Sequence, residues 1–401
     1  MNTKSYIAVT LSYWAFMLTD GALRMVVLLH FHQLGFTPDK LAFLFIFYEV
    51  AGIATNLLGG WFAARVGLKS TLFSGLALQL IALLGLTIFQ PNWTIVSSVI
   101  FVMMIQAISG IAKDLTKMSS KSSVKLLVSE ENQSGLFKLV ALLTGSKNAI
   151  KGVGFFLGSA LLGSVGFNLA LYSLAGIIGL SLIYSLLAVT GDFGKMKTKV
   201  KFNQLFSKSP AINQLSIARA ALFASRDVWF VVAVPIFLHE ALGWNFTQIG
   251  SFMAAWIIGY GFIQSIAPKL KGANKSALSS LKLWAFLLVT TCITLTSSIY
   301  WDFYPTTSLL VGLSIFGIIF AVNSSIHSYL ILAYTETEEV AINVGFYYMA
   351  NACGRLIGTL LSGILYLLEG LTACLIFATI LSLIAAVLNL RLPPELSVEK
   401  P

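Results

Sequence analysis

The chain has 401 residues, 57% hydrophobic and only 10% charged, with 26 Lys and Arg against 16 Asp and Glu for a formal net charge of +10. Soluble domains carry about 25% charged residues, so this composition excludes an ordinary soluble enzyme and indicates an all-α integral membrane protein. Of the loop lysines and arginines only Lys40 falls in an odd-numbered loop, so the basic excess is topological rather than a nucleic-acid footprint, and both termini are expected on the cytoplasmic side.

Apolar runs of about 20 residues, each long enough to cross a hydrocarbon core of roughly 30 Å as a helix, recur along the whole chain. Twelve spans are predicted, at 6–30, 39–63, 70–90, 93–115, 136–163, 167–189, 213–238, 247–267, 280–301, 306–333, 341–367 and 371–390. The first has one lysine before it and no small-residue cleavage site, and reads as a retained helix rather than a signal peptide. It carries Asp20 and Arg24, one helical turn apart and placed to pair with each other, with His30 and His32 read as loop residues at its outer end. Glu49 in the second span has no basic residue one turn away and is either a proton carrier or a partner of a basic group. The stretch GGWFAARVGLKS (59–70) forms the loop to the third span, and Lys113 and Lys117 are assigned to the loop at the end of the fourth.

The fifth span places Lys147 and Lys151 on one helix face. Lys147 lies about 11 residues, or roughly 16 Å, from the end of its span, too deep for easy snorkelling. A Lys-rich polar break at 191–212 reads as a cytoplasmic linker, dividing an N-terminal bundle (1–190) from a C-terminal bundle with a short tail (213–401). The seventh span holds Arg219, near enough to its end to snorkel, and the neighbours Arg226 and Asp227, which point roughly 100° apart and pair poorly on a straight helix. His327 in the tenth span reads as a hydrogen-bonded core histidine, and Arg355 stands in the eleventh. Cys292, Cys353 and Cys374 form no CxxC or Cys/His cluster, so no metal site, disulfide framework or cofactor is indicated.

The halves resemble each other. Asp20 followed by LGFT (34–37) recurs as Asp227 followed by LGWN (242–245), and KNAIKGVG (147–154) lies over NACGRLIG (351–358). Two related six-helix bundles in parallel orientation are the build of the major facilitator fold. The 59–70 stretch resembles that superfamily's gating-loop signature at Gly60, Arg65, Gly67 and Lys69, although Ala64 stands where the family usually has an acid. Ala64 cannot supply the acid of the family's usual gating salt bridge.

Charge in a span costs at least about 2.5–3.5 kcal/mol on insertion scales, so such residues normally face a wet cavity or a partner. The six basic groups outnumber Asp20, Glu49 and Asp227, which suits a multiply charged anion, and arginine offers forks that fit phosphate-like oxyanions. Arg24, Lys147, Lys151, Arg226 and Arg355 are the expected substrate-binding residues. Asp20, Glu49 and Asp227 are the expected counter-charges or coupling acids, Glu49 being the best placed to carry a proton.

The runs 13–36, 109–127, 142–158 and 225–238 look like the organoarsenical efflux permeases of the major facilitator superfamily, the ArsJ type, over nearly the whole chain. That resemblance implies export of 1-arseno-3-phosphoglycerate across the inner membrane, conferring arsenate resistance, in functional partnership with the glyceraldehyde-3-phosphate dehydrogenase that makes it. A monomer is expected. An organophosphate or sugar-phosphate exchanger would use the same cationic cavity, whereas a proton-coupled drug exporter would favour an acidic or apolar one. A membrane enzyme would need a nucleophile, metal or paired-acid constellation that the spans lack.

Overall fold

The computed structural model describes residues 3–125, 133–190, 209–270, 276–334 and 340–393. They form thirteen α-helices and, among the described residues, no strand: α1 (Thr3–Gln33), α2 (Pro38–Phe43), α3 (Ile46–Val66), α4 (Leu68–Leu86), α5 (Ile95–Lys125), α6 (Gln133–Val165), α7 (Phe167–Ala188), α8 (Pro210–Phe230), α9 (Ala233–Glu240), α10 (Phe246–Leu270), α11 (Ala277–Tyr300), α12 (Pro305–Ala333) and α13 (Val340–Leu390). Their sequences are apolar around most of the helix circumference, the pattern of helices buried in a bundle or in lipid.

Eleven stretches among the described residues are long and apolar enough to cross a membrane. The last of them, Asn343–Leu390, has 48 residues. At 1.5 Å per residue that is roughly 70 Å, more than twice a hydrocarbon core. Gly370, at φ 68° and ψ −158°, breaks it, so α13 supplies two spans and the total reaches twelve.

Two spans are interrupted. Leu44 and Phe45 separate α2 from α3, and Val231 and Val232 separate α8 from α9. An interrupted helix leaves backbone N–H groups that lipid cannot satisfy. At the second break the Ser362 hydroxyl accepts from Val232 N and Ala233 N at 3.2 and 3.1 Å, and Pro235, which has no N–H to lose, follows within α9.

Backbone contacts divide the chain into one unit of 1–200 with 238–261 and another of 201–237 with 262–401. In the first, α1 packs on α6 and α7, while α5 packs on α3 and α4. In the second, α8 packs on α13, and α11 packs on α12 and α13. Small residues set the closest approaches. A Cβ at Gly154 or Gly158 of α6 would run into the α1 backbone at Leu18 and Ala22, and one at Gly354 or Gly358 of α13 would meet α8 at Ala220 and Ala224. Ile212, Leu215, Leu281, Val322, Leu330 and Tyr347 fill the core of the second unit.

Several boundaries differ from the sequence expectation. His30 and His32 lie within α1 rather than in a loop, and the His30 ring stacks on Phe167 at 3.9 Å. The signature stretch 59–66 is helical, the end of α3. Only Gly67 leaves the helix, at φ 90°, a left-handed value that glycine adopts without strain. Helix α5 continues to Lys125, ten residues past the expected end of the fourth span at 115, because the polar groups that end the hydropathy signal are partnered by neighbouring helices. Of the expected linker 191–212, residues 191–208 lie outside the described residues, and Pro210 already begins α8.

Candidate functional site

In the first unit α1 and α6 touch through Gly21, whose missing Cβ leaves room for the backbone and side chain of Lys151. The contact brings Lys151 Nζ to 2.6 Å from Asp20 Oδ2. Tyr48 Oη donates to the other oxygen, Oδ1, at 2.5 Å. Asp20, 3% exposed, is therefore held from both sides. Removing one partner of such a buried pair costs about 3–5 kcal/mol, since it strands the other charge.

Arg24 does not turn back to Asp20, as the i,i+4 spacing predicts. Its Nη2 lies 3.0 Å from Glu49 Oε1, and its guanidinium sits over the Phe45 and Tyr48 rings at 5.0 and 5.4 Å. Glu49, read as either a proton carrier or a partner of a basic group, has such a partner in Arg24 across the helix interface, which spacing along its own helix could not identify. A void of about 10 Å³, one water in size, lies among Asp20, Arg24, Tyr48, Gln106 and Ser109.

A second polar cluster, missed by the sequence reading, follows from the extra turns of α5. Asp114 is fully buried. It accepts from Lys117 Nζ and Thr55 Oγ1, both at 2.7 Å, and Lys117 Nζ also donates to Asn56 at 2.7 Å. Lys113, 9% exposed, places Nζ 4.0 Å from the Tyr48 ring centroid. The signal was present as Lys-Asp at 113–114 with Lys117 one turn on. Assigning those residues to a loop hid it. Lys147 is half-buried on α6. Of the signature residues, the side chain of Arg65 lies outside the described residues, while Lys69 places Nζ 5.7 Å from the Phe73 ring.

The second unit repeats the arrangement. Arg355 on α13, the counterpart of Lys151 in the sequence repeat, places Nε 3.5 Å from Asp227 Oδ2 on α8, and Asp227 is the counterpart of Asp20. Here the acid serves two arginines. Arg226 Nε and Nη2 reach Asp227 Oδ1 at 2.6 and 2.5 Å. The long guanidinium arm folds back over the roughly 100° that separates neighbours on a helix, so the expected poor pairing is overturned.

Arg219 does not snorkel. It is 5% exposed, donating from Nε to Asn351 Oδ1 at 2.9 Å and from Nη1 to Ser324 O and Oγ at 2.9 and 3.1 Å. Phe223 lies between Arg219 and Arg226, its centroid 4.1 and 4.8 Å from their Cζ atoms. His327, fully buried as expected, has Asn389 as its hydrogen-bonding neighbour, but neither ring nitrogen makes a hydrogen bond of good geometry among the described residues. A buried group left in that state costs about 1–3 kcal/mol.

The charge balance of each unit follows. Among the described residues, the interior of the first sets Asp20, Glu49 and Asp114 against Arg24, Lys113, Lys117, Lys147 and Lys151. The second sets Asp227 alone against Arg219, Arg226 and Arg355. Both interiors are cationic. The break between α8 and α9 falls one turn beyond Asp227, and that between α2 and α3 one turn before Glu49. Discontinuous helices of this kind occur where membrane transporters bind substrate and coupling ions. No group of three or more His, Cys, Asp or Glu suited to a metal ion occurs among the described residues.

Solved structures share this fold. A bacterial homologue of the iron transporter ferroportin in its inward-facing state superposes with a TM-score of 0.73 at 13% identity, covering 97% of both chains. Its outward-facing state gives 0.70 at 14% identity, over 96% of this chain and 98% of that one. A mutant of the nucleoside transporter NupG gives 0.72 at 15% identity, over 97% and 98%. At these identities the likeness carries the fold alone. No curated protein matches by sequence. The family profile of the Major Facilitator Superfamily matches residues 7–234 and again 215–401, and with nearly the whole chain so covered the protein belongs to that superfamily of multi-pass membrane transporters.

Proposed function

We propose that this transporter exports an anionic organoarsenical, 1-arseno-3-phosphoglycerate, by alternating access, and so confers arsenate resistance. The observation that carries the reading is the cationic interior, above all that of the second unit, where, among the described residues, Arg226 and Arg355 share the carboxylate of Asp227 and the buried Arg219 has only neutral acceptors. A dianion entering such an interior replaces the missing counter-charge, and guanidinium forks match the planar sets of oxygens on phosphate and arsenate groups. The long sequence runs at 13–36, 109–127, 142–158 and 225–238 support the organoarsenical class in particular.

On this reading Arg24, Lys147, Lys151, Arg226 and Arg355 contact substrate, and Asp20, Glu49 and Asp227 are counter-charges that release them as substrate arrives. The bundles of 1–190 and 213–401 are the moving bodies, joined by the 191–212 linker. The gating stretch with Gly60, Arg65, Gly67 and Lys69 lies on the cytoplasmic side with both termini. A monomer in the inner membrane receives substrate made by glyceraldehyde-3-phosphate dehydrogenase.

The test is transport in inside-out vesicles loaded with this protein, with and without a pH gradient. Accumulation of the arsenoester that Lys151→Ala or Arg355→Ala abolishes is the expected result. Accumulation of glycerol 3-phosphate in exchange for phosphate, with no arsenoester transport, would replace this reading by organophosphate exchange, which the same arginines would serve.

A further inference from the structure

Among the described residues, the second unit contains one buried cation with no carboxylate partner. Arg24, Lys151, Arg226 and Arg355 each lie within 3.5 Å of a carboxylate oxygen. Arg219 is 5% exposed, and its hydrogen-bond acceptors are all neutral. We propose that Arg219, together with Asn351, Ser324 and His327, is the anchoring site for one phosphate-class oxyanion group of the substrate. This assignment rests on the anion-transport reading and adds a residue and a place to it.

Four observations converge there. First, Nε and Nη1 of Arg219 are occupied and hold the fork in one plane, and the guanidinium is steadied over the Phe223 ring at 4.1 Å and Tyr347 at 5.2 Å. Its Nη2 makes no hydrogen bond among the described residues, so two N–H groups remain for a ligand. Second, His327 is fully buried beside Arg219, with Asn389 as its hydrogen-bonding neighbour, and neither ring nitrogen nor Asn389 Oδ1 makes a hydrogen bond of good geometry among the described residues. A neutral imidazole offers one N–H donor, which an incoming oxyanion can accept.

Third, Asn351 is half-buried and stands one turn from Arg355 on α13, so it lies on the side of that helix that carries an arginine of the Asp227 cluster. Fourth, once Asp227 has cancelled one of three arginine charges, two positive charges remain. That number suits the dianion of a phosphate or arsenate monoester better than a carboxylate. A buried charge kept without a counter-ion is costly in the empty protein, and a ligand that supplies the counter-ion recovers that cost on binding.

The probe is glycerol 3-phosphate, with inorganic phosphate and arsenate alongside it and chloride as the control, titrated into the purified full-length protein in detergent. Thermal unfolding is followed by tryptophan fluorescence. The parent is expected to unfold at rising temperature with phosphate monoester but not with chloride. Arg219→Lys, which keeps the charge and loses the fork, is expected to weaken that response at least tenfold, and Arg219→Gln to remove it.

His327→Leu separates binding from structure. It replaces a buried ring whose hydrogen bonding is poorly satisfied by an apolar group, so the empty protein should melt close to or above the parent temperature while the affinity for phosphate monoester falls at least tenfold. A merely structural histidine would move the first quantity and leave the second alone. Lys40→Gln, outside this site, should match the parent. If Arg219→Gln is not recovered folded, Arg219→Lys and His327→Leu carry the test. A parent that responds to none of the three oxyanions overturns this assignment and the anion reading together. A parent that responds while Arg219→Lys and His327→Leu respond equally well overturns this assignment alone.

Discussion

Arg24 and Glu49 meet at 3.0 Å across α1 and α3 with side chains 10% and 1% exposed, so each helps to neutralise the other. Glu49→Gln keeps the shape and removes the charge, leaving Arg24 buried over two aromatic rings. We expect it to destabilise the protein by about 3–5 kcal/mol, and the double variant with Arg24→Met to recover part of that loss, because both buried charges are then gone. Thermal unfolding of the four purified proteins gives the coupling directly. A Glu49→Gln protein as stable as the parent would mean that Glu49 is protonated when folded, which would return it to the role of proton carrier. Most positions that hold buried charge were legible in the sequence, since a charged residue amid twenty apolar ones stands out, but Lys113 and Asp114, at the polar end of their span, were not. Who pairs with whom was not. Spacing along one helix offers Asp20 to Arg24, whereas the close α1–α6 contact at Gly21 offers it to Lys151 first, at 2.6 Å.

At the scale of elements the glycines that set helix separation are the sensitive points. Gly158 on α6 faces the Ala22 backbone of α1 so closely that a Cβ cannot be accommodated without moving one of the helices. Gly158→Ala is expected to cost about 1–3 kcal/mol of stability and to weaken the Lys151–Asp20 pair that the same contact positions. Gly176 on α7 has nothing within 4 Å of its added Cβ, so Gly176→Ala should be neutral or stabilising by about 0.5–1 kcal/mol through backbone entropy alone. Melting both variants in the same detergent checks the pair, and an equal loss in each would remove the case for a contact-specific effect. Most spans were legible because twenty apolar residues in a row have few other fates. Their ends were less so. Hydropathy stops at Leu115, yet α5 runs on to Lys125, because Asp114 and Lys117 satisfy each other along with Thr55 and Asn56. The helix breaks at 44–45 and 231–232 left no hydropathy signal at all, since the residues there are as apolar as the helices they separate.

For the molecule as a whole the repeat seen in the sequence becomes a repeat of chemistry: Asp20 with Lys151 in one unit, Asp227 with Arg355 in the other. The two are not equal in charge. Asp20 shares its unit with Glu49 and Asp114, while Asp227 is the one buried acid among the described residues of a unit holding Arg219, Arg226 and Arg355. The sequence announced an excess of cations. It could not announce that the excess concentrates around one carboxylate, because that depends on which helices pack together. Asp227→Asn tests what the imbalance does. Without the carboxylate, three arginines repel one another in the empty protein, which should unfold at a lower temperature than the parent. An anionic ligand then has more to neutralise, so on the proposed function the gain in unfolding temperature on adding a phosphate monoester should be larger in Asp227→Asn than in the parent, even as transport slows because release of the tightly held anion becomes limiting. The same measurement with Asp20→Asn, in the unit better supplied with acids, should show the smaller gain. If Asp227→Asn melts like the parent both with and without the monoester, Asp227 neutralises nothing that matters, and the anion is recognised elsewhere in the chain.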